Sequence, residues 1–201
     1  VYLDNLPSAA MYEKSYMHRD RVTHCVVAQP TEFVLTASAD GHLKFWKKMS
    51  RGVEFVKHYR AHLGAVADLA VSADGQRAVT VCESDCTMKF YDVEAFDMVH
   101  MVTLPFAPVA AVWCYARGSS EPLLAVAAKD APEIRIFNAE GATEEPLAVL
   151  KVHAAPVAVL AYNEAARCVI SGDVKGTLHY SSALPPFAAP DGLRFRFKMD
   201  T

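Results

Sequence analysis

The sequence lacks the features that would place the protein in a membrane or in a disulfide-stabilised class. Its longest apolar run, residues 109–116, is far shorter than the roughly 20 residues that a membrane-spanning helix needs. No signal peptide is visible, so we expect no membrane association. The five cysteines are an odd number without a CxxC pair, and most lie inside apolar runs. We therefore expect reduced, buried thiols and an intracellular protein.

Excess positive charge and the common catalytic motifs are also missing. The formal net charge is -3, so no direct nucleic-acid binding is expected. There is no GxGxxG, phosphate loop, HExxH or GxSxG pattern. Cys82 and Cys86 flank a turn without further ligands at metal-site spacing, so we predict no metal, cofactor or small-molecule ligand. The basic residues between 44 and 57 are interpreted as a solvated edge, with RNA contact as the alternative.

What the sequence does contain is a motif that recurs four times at a period of about 45 residues. Each copy has a strand of small or apolar residues, a polar turn with an aspartate, and a second strand in which residue types alternate. We call the last residue of this second strand, which is at the same position in every copy, the closing residue. The closing residues Trp46, Tyr91, Phe137 and Ser181 are 45, 46 and 44 residues apart. A fixed period of this length predicts a repeat architecture.

The segments between these motifs have the pattern of short strands. Residues 53–59 roughly alternate apolar and polar side chains, and Asp74-Gly75 is a strong hairpin signal. Seven prolines fall between the runs, where they would break any long helix. The sequence predicts an all-β fold, a partial β-propeller of about four blades, each a four-stranded antiparallel sheet.

The four repeats are predicted over roughly residues 18–47, 62–92, 107–138 and 153–181 of a single segment, 1–201. Residues 182–201 are expected to be a linker and the start of a further repeat, because residues 193–198 alternate apolar and basic side chains. Most propellers of this kind have more blades, so we expect an open arc with two bare sheet edges. The missing initiator methionine and the ending within a repeat favour a fragment of a longer protein.

A histidine precedes three of the repeats. His18, His62 and His153 lie 22, 23 and 20 residues before the turn aspartates of their repeats. Histidine, aspartate and a closing aromatic at this spacing resemble the WD-repeat family, in which they form a buried hydrogen-bonded chain with a serine or threonine. The residues that the resemblance implies are, by repeat, His18, Ser38, Asp40 and Trp46; His62, Asp85 and Tyr91, with Thr80 or Cys82 near the serine position; Asp130 and Phe137; and His153, Ser171 and Asp173.

We interpret this chain as structural rather than catalytic. A buried polar group without a partner costs about 1–3 kcal/mol, and a histidine between an aspartate and a hydroxyl satisfies all three groups. The alternative makes His18 a general base, Asp40 its orienting group and a serine the nucleophile. Because the elements recur with the fold, which active sites do not usually do, we predict no catalytic residue here.

Longer strings resemble one subfamily of WD-repeat proteins. Residues 40–48, DGHLKFWKK, and 54–64, EFVKHYRAHLG, are similar to cyclophilin-type peptidyl-prolyl isomerases that carry N-terminal WD repeats. The resemblance implies a nuclear protein associated with the splicing machinery, with partners among spliceosome components. No segment resembles the cyclophilin domain, so no isomerase residue is carried over. We therefore expect a non-catalytic protein-interaction scaffold; the alternative is a part of an active isomerase whose catalytic domain lies downstream.

Overall fold

The alternating runs fold into antiparallel sheets within residues 16–115 and 121–187, the part of the chain that the computed structural model describes. The only helical segment in these ranges is the 3-10 turn Gln29–Thr31, so no helix there is able to cross a membrane. The strands are, in blade I, β1 (Val22–Ala28), β2 (Phe33–Ser38), β3 (His42–Lys48) and β4 (Val53–Arg60); in blade II, β5 (Asp68–Val71), β6 (Arg77–Cys82), β7 (Thr87–Asp92) and β8 (Asp97–Thr103); in blade III, β9 (Pro108–Trp113), β10 (Leu123–Ala128), β11 (Ile134–Asn138) and β12 (Ala148–Leu150); and in blade IV, β13 (Val157–Asn163), β14 (Cys168–Asp173) and β15 (Leu178–Ser182).

The four blades repeat the same register, so the closing residues of the sequence motif occupy equivalent positions. Each blade is a meander in which neighbouring strands in the sequence are neighbours in the sheet. The closing residue of each third strand pairs with the equivalent residue of the second strand. These pairs are Trp46 with Val34, Tyr91 with Ala78, Phe137 with Leu124, and Ser181 with Val169.

The first strand of each blade lies on the inner side of the arc. Strand β1 contacts β5, β5 contacts β9, and β9 contacts β13, whereas β4, β8 and β12 form outer edges. This arrangement confirms the all-β partial propeller. Blade IV has three strands among the described residues, where the sequence predicted four. Residues 193–198, predicted to open a further repeat, lie outside the described ranges.

Apolar side chains fill the space between neighbouring blades in three clusters. Each blade contributes the alternate residues of its second and third strands to one neighbour or the other, because side chains of a strand point to opposite faces. Fully burying a side chain the size of leucine or phenylalanine contributes about 2 kcal/mol. The clusters include Leu35, Phe45 and Tyr91 between blades I and II; Phe90, Trp113 and Leu124 between II and III; and Ile136, Val157 and Val169 between III and IV.

Hydrogen bonds between blades join residues about one repeat apart. Between blades I and II, the Tyr59 hydroxyl donates to the Phe96 carbonyl at 2.7 Å. Between blades II and III, the Ala111 N–H donates to the Asp68 carboxylate at 2.9 Å. These bonds fix the alignment of one sheet against the next, which the non-directional apolar contacts alone do not.

Candidate functional site: buried histidine networks between the blades

In three blades a loop histidine is hydrogen-bonded to a hydroxyl that follows it by 18 residues. The hydroxyl residue sits on the second strand of its blade, opposite a basic residue of the third strand. The Nε2–Oγ distances are 2.8 Å from His18 to Thr36, 2.8 Å from His62 to Thr80, and 2.7 Å from His153 to Ser171. The repeat of one spacing in three blades identifies a structural device that belongs to the fold.

The network of blade II is the most extensive of these. The His62 side chain is fully buried; its Nδ1 lies 3.0 Å from an Asp85 carboxylate oxygen, and Thr87 donates to the other oxygen at 2.7 Å. Since a carboxylate only accepts, Nδ1 carries the ring proton and Nε2 accepts from Thr80. The Tyr91 hydroxyl contacts Thr80 as well, and burial raises the pKa of Tyr91 to about 12. Tyr91 therefore occupies the position in blade II that Trp46 occupies in blade I.

The charges in this network are fixed by burial and by hydrogen bonds. Burial lowers the pKa of His62 below its ordinary 6.5, although Asp85 acts against the shift. Burial raises the pKa of the Asp85 carboxyl. Hydrogen bonds from Thr87 and His62 lower it, and they hold the pKa below its usual range. His62 is therefore neutral and Asp85 ionised near pH 7. With both ring nitrogens already bonded, His62 has no free position for general-base chemistry.

Blade I differs from the sequence-based assignment in its hydroxyl. The residue in contact with His18 is Thr36, and the Trp46 indole N–H donates to the same oxygen at 2.8 Å. Because the indole only donates, Thr36 accepts from Trp46 and donates to His18. Ser38, which the resemblance implied for this position, donates instead to Asp40. The 18-residue separation from the histidine, and not the distance from the aspartate, selects the hydroxyl residue.

Blade IV brings its three predicted residues together. His153 Nδ1 lies 3.3 Å from an Asp173 oxygen, while its Nε2 lies against Ser171. The other Asp173 oxygen accepts the Thr177 N–H at 2.9 Å, which closes the turn. Ser181 occupies the closing position, where its small side chain is buried.

Blade III replaces the whole network by apolar side chains. Leu104, Val126 and Phe137 occupy the positions of the histidine, the hydroxyl and the closing aromatic, and all three are buried. Asp130 is exposed. When both partners of a buried hydrogen bond become apolar, no unsatisfied group is left, so the exchange is nearly neutral. The missing histidine of this repeat is therefore matched by a missing hydroxyl.

Two lysines that the sequence analysis did not assign complete the networks. Lys44 Nζ donates to the Met17 carbonyl at 2.9 Å, and Lys89 Nζ donates to the Ala61 carbonyl. Met17 and Ala61 each directly precede a network histidine. Lys44 is only 8% exposed, so its interpretation as part of a solvated basic stretch was wrong. In the sequence, the lysines could have been identified as basic residues that follow the histidine by 26 or 27 positions.

Replacing Lys89 by methionine is expected to lower the free energy of unfolding by about 1–2 kcal/mol, because the Ala61 carbonyl loses its donor while the apolar stem is kept. Urea unfolding followed by circular dichroism measures the change. Lys47→Met, at an exposed position of β3, is the matched control. An equal loss in both variants would contradict the assigned role of Lys89.

Acid is expected to destabilise the protein through the histidines whose pKa is lowered in the folded state. Their lowered pKa means that they bind protons more readily in the unfolded chain, so stability is lost as the pH falls below about 6.5. The free energy of unfolding from urea titrations should decrease steadily between pH 7 and pH 5; a constant value would contradict this expectation. The histidines with a lowered pKa, caused first by burial, are His18, His58, His62, His100 and His153.

One group of potential metal ligands exists among the described residues. One ligand atom each of His62, Cys82 and Asp85 lies within 4.8 Å of the others. A metal ion there would have to break the bonds from His62 to Thr80 or Asp85. Cys82 is fully buried. The group is better explained as part of the hydrogen-bonded network than as a metal site.

Comparisons with known proteins agree with this geometry. Residues 13–47 and 53–92, which include the networks of blades I and II, match the family of the WD domain, G-beta repeat. The fold and the networks therefore define a WD-repeat protein.

Relatives extend the match over the full chain. The chain is 46% identical over 201 residues to the peptidyl-prolyl cis-trans isomerase CYP71 of Arabidopsis thaliana. It is 42% identical over 203 residues to the human peptidylprolyl isomerase domain and WD repeat-containing protein 1. The chain is homologous to the WD-repeat region of the peptidyl-prolyl isomerases that carry WD repeats. All of it is matched, but it spans only 32% and 31% of the length of these two relatives. A match to their WD-repeat region fits a non-catalytic scaffold role.

Proposed function

We propose that this chain is a non-catalytic scaffold that binds partner proteins and holds them within the splicing machinery of the nucleus. The proposal rests on the observation that the buried histidines are used to hold the fold together. His62 and His153 are buried, and both nitrogens of each ring are bonded within the fold. Their role is to fix the blades, which leaves loops and outer strands as the surfaces for partners.

The choice of partner rests on the resemblance to WD-repeat cyclophilins. The sequence strings at residues 40–48 and 54–64 carry that resemblance, and it supports a nuclear protein with spliceosome partners. An intracellular place is also favoured by the cysteines, which are free thiols throughout.

The second candidate function is a part of an active peptidyl-prolyl isomerase whose catalytic cyclophilin domain lies downstream of this segment. The names of the relatives and the one-third of their length that the chain spans favour it. In that case the scaffold positions the isomerase on its substrates, and the two candidates describe one protein at different lengths.

The test is recovery of spliceosomal proteins from nuclear extract by the tagged 201-residue chain, quantified by mass spectrometry. We expect enrichment by about tenfold over the Gly41→Ala variant, which should be strongly destabilised, and retention by Gly52→Ala, which should keep the fold. Equal recovery by all three proteins would contradict the proposal. The purified chain should not accelerate prolyl isomerisation in a peptide assay, and acceleration would contradict the non-catalytic role.

A further inference from the structure

A cavity of about 250 Å³ opens between blades II and III. Arg77 begins β6, Asp92 ends β7 and Trp113 ends β9, so all three lie at one end of their sheets. The His62–Asp85 network lies at the opposite end, near the turn between β6 and β7. The cavity is therefore distant from His62 and Asp85, although Tyr91 of the same network is among the residues that line it.

The walls of the cavity are flat aromatic rings held in fixed positions. The His100 ring stacks on Phe90 with centroids 4.4 Å apart, and Trp113 meets Phe90 edge-on at 6.1 Å. The Trp113 indole donates to the Ala70 carbonyl at 3.2 Å, which fixes the ring. Rigid aromatic walls favour a planar group that can stack on them.

One residue that lines this cavity has an unsatisfied polar atom. His100 Nε2 is buried and has no hydrogen-bond partner among the described residues. Burial, and next the Arg77 guanidinium, lower the pKa of His100, so the ring is neutral at pH 7. In the tautomer with a proton on Nδ1, Nε2 is an acceptor.

The charges around the cavity favour a cation. Asp92 and Glu140 bring two carboxylates, and Arg77 brings one guanidinium, which is bonded to Glu140 at 3.1 Å. With His100 neutral, these groups sum to a net charge of one negative unit. The Glu140 side chain is 55% exposed, so a second cation can reach its carboxylate.

We propose that this cavity binds the arginine side chain of a partner protein. Guanidinium is the planar cation that lies against the aromatic side chains of the cavity and pairs with Glu140. The cavity is also lined by Val99 of β8, the outer strand of blade II among the described residues. An extended segment laid along this edge presents its side chain to the cavity. The inference rests on the proposed scaffold function and names the chemistry of one contact.

The experiment uses the full chain and a short blocked peptide with one arginine between valine and threonine residues. The sequence has two tryptophans, so an amide correlation spectrum has two indole signals. We expect the peptide to shift the Trp113 signal and to leave that of Trp46 in place. The same peptide with citrulline, which is neutral and of the same shape, should bind about tenfold more weakly, because a charge-assisted pair is lost.

Two protein variants distinguish binding in the cavity from nonspecific electrostatic attraction of the peptide. Glu140→Gln should weaken arginine-peptide binding about tenfold, whereas Glu145→Gln, an exposed glutamate nearby in the sequence, should leave it unchanged. Equal affinity for the arginine and citrulline peptides, a shift at Trp46 alone, or preference for an acidic peptide would overturn the proposal. If the arginine peptide does not bind while nuclear partners are still recovered, the cavity proposal fails and the scaffold stands. If partners are not recovered but the peptide binds, the scaffold fails.

Discussion

Replacing His62 by alanine is expected to lower the free energy of unfolding by about 3 kcal/mol, the largest effect of any network residue. The side chain is fully buried and bonds to Thr80, Asp85 and Thr87 at once. Its removal takes the imidazole partner from the Asp85 carboxylate and the Thr80 hydroxyl and opens a cavity between blades I and II. Urea unfolding at pH 7.5 measures the loss.

The control for this prediction is His24→Ala, since His24 is a partly exposed histidine on β1. It should cost less than about 0.5 kcal/mol. Blade III supplies a second comparison, because it has apolar residues at three of the network positions. The combination His62→Leu, Thr80→Val and Tyr91→Phe should be less destabilising than His62→Ala alone. If the combination loses more stability than the single variant, the apolar set is not an equivalent of the network.

Gly41→Ala is expected to destabilise the protein by about 3 kcal/mol or more, because two costs act at once. Gly41 has φ +80, and an added Cβ would overlap the His62 carbonyl oxygen and lie 2.6 Å from that of Gly64. The Gly41 carbonyl also accepts the His62 N–H at 3.0 Å. A shift that relieves the overlap therefore pulls the loop of the blade II histidine away from its network.

Gly52→Ala separates the two costs. Gly52 has nearly the same backbone angle, φ +79, but nothing lies within 4 Å of an added Cβ. It should lose only about 1 kcal/mol, the cost of a side chain in the left-handed region. The difference between the two variants, from urea unfolding of each, measures the steric contact alone. Similar losses would show that the turn at Gly41 moves freely, and the coupling of this turn to His62 would then be wrong.

The period of the sequence predicted the sheets well, because strand alternation and tight turns are local. The strand predicted at residues 53–59 is β4, which is one residue longer. The equivalence of the closing residues also follows from their spacing. In an arc built from hairpins, the spacing of the motif fixes the register, so the fold was predictable from the pattern.

The contacts between loops and strands were less predictable. Thr36 and Ser38 lie on the same face of β2, and the sequence offers no local reason to prefer one of them. The choice depends on how far the loop of His18 reaches along the sheet. The burial of Lys44 was missed for a similar reason, since its ammonium is held by a carbonyl of a loop 27 residues away. The cavity at His100 arises where two blades meet, and neither blade alone contains it.

The hydrogen bonds between blades have a consequence for how the chain acquires its structure. Tyr59 and Phe96 are 37 residues apart, and Asp68 and Ala111 are 43 apart. Each boundary is therefore complete once the chain has advanced by one further repeat, so a nascent chain emerging from the ribosome can add its sheets in order. In a chain of stacked repeats, the total stability is approximately the sum of the stability of each repeat and of each contact between neighbouring repeats. When one boundary is broken, the repeats beyond it lose that contribution. A lesion in blade IV is thus expected to leave blades I and II folded.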